Sequence, residues 1–372
     1  MRLDNNQQAF FALLKAGLWE KDVQLLPYGT VDFSAVNKLA EEQSVVGLIA
    51  AGLEHVIDVK IPKEDALLFV GNALQLEQRN AKMNMFIWVV VDRMRSADIY
   101  SLLVKGQGIA QCYERPFGRA CGDVDFFLSD TEYDKAKELF TPIARLVETE
   151  GKNEKHQGYI VDQWSVELHG SLRCGLSNKM DRVIDEVQND VFYGGKVRSW
   201  MNGHTQVFLP DANCDVIFVF THFIKHFYKE GLGLRQICDW CRLLWKFRSI
   251  VDQRLLEKRL HSMGLMSEWQ ALGAFAVDYL GMPKEAMPFY SSESKWNRKA
   301  DRICSFVMKV GNMGHNRDMS YFANSPYFIR KCISLKRRLG DYSIHFKIFP
   351  MSTLRFYPNI LYNGLRSAIR GE

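Results

Sequence analysis

The stretch RACGDVDFFLSD, residues 119–130, carries two aspartates, Asp123 and Asp125, with a single residue between them. The apolar residues that follow predict a strand that enters the core. Residues i and i+2 of a strand point to the same face, so the two carboxylates are expected side by side. At about 5 Å and an effective dielectric near 20 they repel by roughly 3 kcal/mol. A shared proton or a divalent cation is therefore expected between them.

A second predicted strand adds a third carboxylate. In QWSVELHG, residues 163–170, the polar residues Ser165, Glu167 and His169 alternate with apolar ones, which predicts a half-buried strand. Aspartate and glutamate oxygens suit Mg²⁺ or Mn²⁺, and three that converge from two strands are typical of a two-metal phosphoryl-transfer site. His169 is expected either to contact phosphate or to orient Glu167.

The patterning around these strands divides the chain into three regions. Residues 1–98 have helical spacing, residues 99–210 alternate short apolar runs with helical segments, and residues 211–372 return to helical spacing. The predicted fold class is α+β, with a mixed-sheet domain flanked by N-terminal and C-terminal helical regions. Within the middle region, residues 129–148 predict one helix, and residues 158–170 predict a hairpin.

Charge and cysteine content indicate the class of protein. The 372 residues carry a net charge of +5, but the segment 291–372 holds 15 Lys and Arg against 5 Asp and Glu, so it is +10 and the remainder −5. This segment is predicted to be either a solvated basic face or a surface for an anionic partner. Eight dispersed cysteines favour a reducing cytoplasm over a disulfide scaffold. The longest apolar run, MFIWVVV at residues 85–91, is far shorter than the roughly 20 residues of a membrane span.

Several motifs together resemble a known superfamily. LLVKGQGIAQCYERPFGRACGDVDFFLS, residues 102–129, is similar to the opening of the DNA polymerase beta-like nucleotidyltransferases, where a strand ending in glycine precedes a strand with Asp-x-Asp. With VELHG at 166–170 and FTHFIKH at 220–226, the chain resembles a bacterial branch of uncharacterised nucleotidyltransferases. That branch carries Lys-Gly where the superfamily usually has Gly-Ser.

The resemblance implies a nucleotidyltransferase-fold mixed sheet and metal-dependent transfer of a nucleoside monophosphate from a nucleoside triphosphate. It implies that Asp123, Asp125 and Glu167 bind Mg²⁺ or Mn²⁺, and that Glu167 accepts the acceptor's proton. The residues expected to contact the nucleotide are Lys105, Gly106, Arg119, Gly122 and His169.

The acceptor side is open to more than one interpretation. His222 and His226 stand four apart on a predicted helix, so they either face a neighbouring element or, with Arg235, line the acceptor pocket. Asp239 is expected to pair with a basic residue. The acceptor is expected to be a small molecule or a protein side chain, and an anionic one if the basic segment takes part.

Two other functions are considered. The alternative to an enzyme is a non-catalytic nucleotide-binding or regulatory module that retains the fold. A nucleic-acid-binding role ranks last, because the sequence contains no recognisable reader motif.

Overall fold

The computed structural model describes residues 3–148, 155–318 and 326–370. In chain order the helices are α1 (Asn5–Trp19), α2 (Phe33–Glu42), α3 (Val46–Glu54), α4 (Lys63–Ser96), α5 (Gly106–Ala110), α6 (Asp130–Phe140), α7 (Asn178–Phe192), α8 (Ala212–Lys229), α9 (Leu234–Lys246), α10 (Gln253–Met263), α11 (Met266–Leu280), α12 (Ser294–Val310), α13 (Tyr327–Ile348) and α14 (Pro350–Arg370). The strands are β1 (Ser101–Val104), β2 (Asp123–Leu128), β3 (Leu146–Val147), β4 (His156–Val161), β5 (Trp164–His169), β6 (Val197–Asn202) and β7 (Thr205–Pro210). Residues 319–325 and 371–372 of the predicted basic segment lie outside the described residues.

The main sheet is mixed and has the strand order β1-β2-β5-β4-β3. Strands β2 and β5 run parallel, whereas the other neighbouring pairs are antiparallel. The remaining strands, β6 and β7, form a separate antiparallel ribbon. This sheet with its helical flanks confirms the predicted α+β class. The predicted region boundaries fall between α4 and β1 and at the end of β7.

Strand β2 is covered on both faces beyond its two aspartates. Val124, Phe126 and Leu128 join a buried apolar cluster with residues of α4 and α6. On the opposite face Phe127 packs against Phe218 of α8, with 5.6 Å between the ring centroids. Because strand residues alternate between faces, the carboxylates of β2 lie on the same side as α8.

The predicted helix over residues 129–148 is wrong in its second half. Ser129 caps the helix as expected, because its hydroxyl accepts a hydrogen bond from the Glu132 backbone N–H. Helix α6 then ends at Phe140, since Pro142 has no N–H to donate to the helix, and residues Thr141–Ile143 form a short 3-10 turn instead. The chain continues into β3, which pairs with β4. The predicted hairpin is confirmed, with Val161 paired to Trp164.

The N-terminal and C-terminal helices share one large apolar core, which includes residues of α1 and α11. At its edge the indole N–H of Trp19 donates to the backbone oxygen of Leu280 at 2.6 Å. All eight cysteines are free, and Cys238 and Cys241 are buried in α9. In the part of the chain that the structure describes, no helix is both long enough and apolar enough to cross a membrane.

Candidate active site

Three carboxylates meet where β2 and β5 run side by side. The register pairs Asp125 with Glu167 across the two strands, and Asp123 precedes Asp125 on the same face. One carboxylate oxygen from each of the three residues lies within 4.8 Å of the other two. A set of three such oxygens can hold a divalent metal ion, because hard cations take carboxylate oxygens as ligands.

Lys105 provides a positive charge inside this group. Its Nζ donates to Oδ1 of Asp125 at 2.6 Å, and the Asp125 side chain is 1% exposed. The backbone of Lys105 has φ 57° and ψ −144°, a conformation that a residue with a Cβ rarely adopts. From the sequence this lysine is expected to contact the nucleotide, whereas its contact in the structure is with a carboxylate.

Gly106 brings the turn after β1 close to the first carboxylate. It has φ +40°, and a Cβ built on it would lie 3.2 Å from Sγ of Cys121 and 3.5 Å from the backbone oxygen of Asp123. A side chain would therefore be both strained and crowded here. Gly122, by contrast, is exposed and has no atom within 4 Å of its Cβ position, so space is open in front of the Asp123 loop.

The three carboxyl groups have different proton affinities. Repulsion from Asp125, together with burial, raises the pKa of Asp123. Burial also acts to raise the pKa of Asp125, but the charge of Lys105 and the hydrogen bond with His169 outweigh it and leave that pKa lowered. Burial acts to raise the pKa of Glu167 as well, but hydrogen bonds with His156 and His169 lower it by more. The pKa of Glu167 is therefore well below its ordinary value. Asp123 is therefore the carboxylate that binds a proton most readily.

Two histidines contact the carboxylates. Nε2 of His169 lies 2.8 Å from Oδ1 of Asp125 and 3.3 Å from Oε2 of Glu167. His156, which the sequence analysis did not identify, places its Nε2 3.0 Å from the same Glu167 oxygen. The structure thus brings His169 to the carboxylates and adds a second imidazole beside it.

Arg119 lies elsewhere. Its Nε and Nη2 donate to the two carboxylate oxygens of Asp239 at 3.0 and 2.6 Å, and both residues are buried. The hydroxyl of Tyr113 donates to the same carboxylate at 2.8 Å. Asp239 thus pairs with a basic residue, as expected. Arg119, however, is bonded to α9 and not to the three carboxylates of Asp123, Asp125 and Glu167. These bonds hold the loop before β2 against α9.

Helix α8 carries His222 and His226, and His222 is the one that lies on the side of the carboxylates. Burial, and next the charge of Lys105, hold the pKa of His222 well below its usual value, which indicates that the ring is neutral and close to Lys105. His222 is also one turn beyond Phe218, the residue that packs on β2. Nε2 of His226 lies 3.0 Å from Nε2 of His222, while Nδ1 of His226 lies 2.6 Å from Oε2 of Glu230. His226 therefore links His222 to Glu230.

Two further cations are near the site. Arg235 donates from Nη1 to the backbone oxygen of Ala120 at 3.1 Å, and its charge acts to lower the pKa of Asp123. Lys225, which the sequence analysis missed, is close enough to His156 to act on its pKa: the hydrogen bond with Glu167 raises that pKa, and the charge of Lys225 opposes the rise. Its position three residues after His222 is the signal that could have identified it, because such residues share a helix face.

The mixed sheet and its three converging carboxylates are features of the nucleotidyltransferase class that the sequence resembles. A family model described as uncharacterised nucleotidyltransferase matches residues 29–281, more than half of the chain, and the chain belongs to this family. The matched range includes every predicted site residue and ends before the basic segment. No curated protein and no solved structure matches the chain.

Proposed function

We propose that this protein is a metal-dependent nucleotidyltransferase that moves a nucleoside monophosphate from a nucleoside triphosphate to a small-molecule or protein acceptor. The observation that carries the proposal is the convergence of Asp123, Asp125 and Glu167 from two adjacent parallel strands. Three carboxylates so close together oppose folding unless cations offset their repulsion. Membership of a nucleotidyltransferase family supports the same reaction type.

The three carboxylates hold Mg²⁺ or Mn²⁺ in this proposal. A divalent cation bound there offsets phosphate charge and assists departure of the leaving group. The acceptor's oxygen forms a bond to the α-phosphorus, the bond from that phosphorus to the α,β-bridging oxygen breaks, and pyrophosphate leaves. Gly106, without a Cβ, lets the triphosphate approach the backbone.

The acceptor's proton requires a base, and Glu167, which the sequence analysis gave this role, is proposed to accept it. In the metal-free protein burial acts to raise the pKa of Glu167, but hydrogen bonds with His156 and His169 outweigh it and orient the carboxylate. The raised pKa of Asp123 comes first from repulsion by Asp125. A divalent cation bound between the two aspartates offsets that repulsion, so Asp123 is assigned to metal binding.

Cations around the carboxylates are proposed to bind the triphosphate and the acceptor. Lys105 exchanges Asp125 for phosphate when a divalent cation takes over the carboxylate charge. Lys225 and Arg235 replace Arg119 in this role, because the guanidinium of Arg119 is bonded to Asp239. The basic segment after residue 291 favours an anionic acceptor, since it carries a net charge of +10.

A non-catalytic nucleotide-binding or regulatory module is the alternative. The specific observation in its favour is the Lys105 to Asp125 ion pair, which gives the site a cation of the protein's own. In such a module Lys105 keeps this contact when nucleotide binds, and no product forms.

The experiment that tests the proposal uses each nucleoside triphosphate with Mg²⁺ or Mn²⁺ and a bacterial metabolite extract. Mass spectrometry then searches for species heavier by one nucleoside monophosphate residue. We expect such a product with the wild-type protein and none with Asp123→Asn, which keeps the size of the side chain. Nucleotide binding without any product in the wild-type reaction supports the regulatory alternative instead.

A further inference from the structure

We propose that His156, Glu167 and His169 form a second metal position, which binds a first-row transition-metal ion rather than Mg²⁺. Its part in catalysis rests on the proposed function, but its binding of metal does not. The first metal position consists of carboxylate oxygens from Asp123, Asp125 and Glu167. The second shares Glu167 and adds the imidazole nitrogens of the two histidines.

The distances in this group are those between neighbouring ligands of one ion. Nε2 of His156 lies 3.0 Å and Nε2 of His169 lies 3.3 Å from the same oxygen of Glu167. Metal to ligand distances of about 2.1 Å at tetrahedral or octahedral angles place adjacent ligand atoms roughly 3.0 to 3.4 Å apart. The three ligand atoms all lie within 4.8 Å of one another.

The sheet fixes this arrangement. His156 and His169 are directly paired in the β4–β5 register, and their ring centroids are 4.8 Å apart. Glu167 shares their face because it stands two residues before His169. Opposite Glu167 is Gly158, and a Cβ there would collide with the Glu148 carboxylate. The glycine therefore leaves room for the Glu148 carboxylate at this position of the sheet.

The ligand types determine which ion binds. Imidazole nitrogen suits Fe²⁺, Ni²⁺, Cu²⁺ and Zn²⁺, whereas Mg²⁺ takes oxygen ligands and keeps several waters. A carboxylate has two oxygens and can serve two ions, as in two-metal sites whose ions are about 4 Å apart. The competing explanation is that both histidines only hydrogen-bond to Glu167 and orient it, in which case no ion binds to their nitrogens.

The test titrates the metal-free full-length protein with Zn²⁺ alone and, separately, with Co²⁺ alone. X-ray absorption of the Zn²⁺ complex is expected to show two nitrogen ligands at about 2.0 to 2.1 Å. The visible absorption of bound Co²⁺ measures how tightly that ion binds to the same position. A ligand shell of oxygen alone in the wild-type protein overturns the proposal without any variant.

Matched variants separate the two positions. His156→Gln is expected to weaken Zn²⁺ binding at least tenfold. It is expected to weaken the binding of Mg²⁺ with triphosphate by a smaller factor, because the glutamine amide can still hydrogen-bond to Glu167. Asp123→Asn is expected to weaken Mg²⁺ with triphosphate and to spare Zn²⁺. His261→Asn, on an exposed turn of α10, is the control for adventitious binding to surface histidine. Circular dichroism melting shows that each variant is folded.

Equal Zn²⁺ affinity in the wild type and His156→Gln contradicts the second metal position. Because the Zn²⁺ and Co²⁺ titrations contain no nucleotide, their failure leaves the proposed transfer reaction untouched. Conversely, a protein that binds Zn²⁺ through both histidines but transfers no nucleotide contradicts only the proposed function.

Discussion

The ammonium nitrogen of Lys105 lies 2.6 Å from Oδ1 of Asp125, a carboxylate that is almost fully buried. Residues in sparsely populated backbone regions such as that of Lys105 cost of order 1–3 kcal/mol each. The surrounding structure therefore holds the lysine in this place against strain. In the absence of a divalent cation, Lys105 supplies the positive charge that the three carboxylates require.

Lys105→Met tests this role, since it keeps most of the side-chain volume and removes the charge. Loss of one partner of a buried ion pair costs about 3 kcal/mol or more, so the free energy of unfolding should fall by about that amount in chelator. Saturating Mn²⁺ should reduce the difference from the wild type, because the metal then supplies the charge. Denaturant unfolding under both conditions measures this. An equal deficit with and without Mn²⁺ would mean that Lys105 does not substitute for a cation.

The two aspartates of β2 should differ in their effect on stability. Asp125→Asn leaves the Lys105 charge without its partner and should destabilise the metal-free protein by about 3 kcal/mol. Asp123→Asn removes the charge repulsion between residue 123 and Asp125. This variant should therefore be as stable as the wild type, or more stable by up to about 3 kcal/mol. Both variants should lose nucleotidyl transfer. Calorimetry in chelator is the measurement, and equal melting temperatures for the two variants would contradict this assignment of charges.

Glu167→Gln should lower turnover by at least about tenfold while retaining triphosphate binding, because an amide is a weaker metal ligand. The difference in stability between this variant and the wild type should also depend on pH. The folded-state pKa of Glu167 is lowered, so its charge contributes stability above an unfolded pKa of about 4.3, and this contribution is lost as the pH falls further. The variant should therefore be less stable than the wild type at pH 7, and the gap should narrow below about pH 4. Above about pH 4 the raised pKa of His156 acts in the opposite direction, because its protonated ring pairs with Glu167. Urea unfolding below about pH 4 therefore checks the sign, and a gap that widens over that lower range would contradict it.

Arg119→Lys should destabilise the protein without changing its affinity for triphosphate. Lysine cannot reproduce the two parallel hydrogen bonds to Asp239, and loss of a buried pair of this kind costs about 3 kcal/mol. Thermal unfolding and calorimetric titration of the folded variant measure the two effects. If the variant is stable but binds triphosphate much more weakly, Arg119 contacts the nucleotide and this prediction is wrong.

The parts of the fold that local sequence determines were predictable. Strand β2 has the predicted residues, because a run of apolar side chains after a glycine leaves little choice of structure. The hairpin followed from a two-residue turn, and counting outward from its Val161 to Trp164 pair leads to His156 opposite His169. His156 was thus within reach of sequence analysis, although the register was not extended that far.

Contacts between distant segments were not predictable in the same way. Arg119 and Asp239 are 120 residues apart, and nothing near Arg119 indicates that its guanidinium turns into the core. The contact between Lys105 and Asp125 depends on the side-chain direction after the end of β1, which a pattern of residue types does not specify. The error over residues 129–148 is different in kind, since Pro142 was a visible signal against a continuous helix.

The position of a radioactive label in the products shows whether the three carboxylates support nucleotidyl transfer. The wild-type protein is incubated with Mn²⁺, the metabolite extract, and one triphosphate labelled at either the α- or the γ-phosphate, with Asp123→Asn and chelator as controls. We expect the α label to appear in the acceptor product, the γ label to be released in pyrophosphate, and neither to occur in the two controls. Transfer of the γ label to a product, or α label transfer that persists in Asp123→Asn, would contradict this expectation.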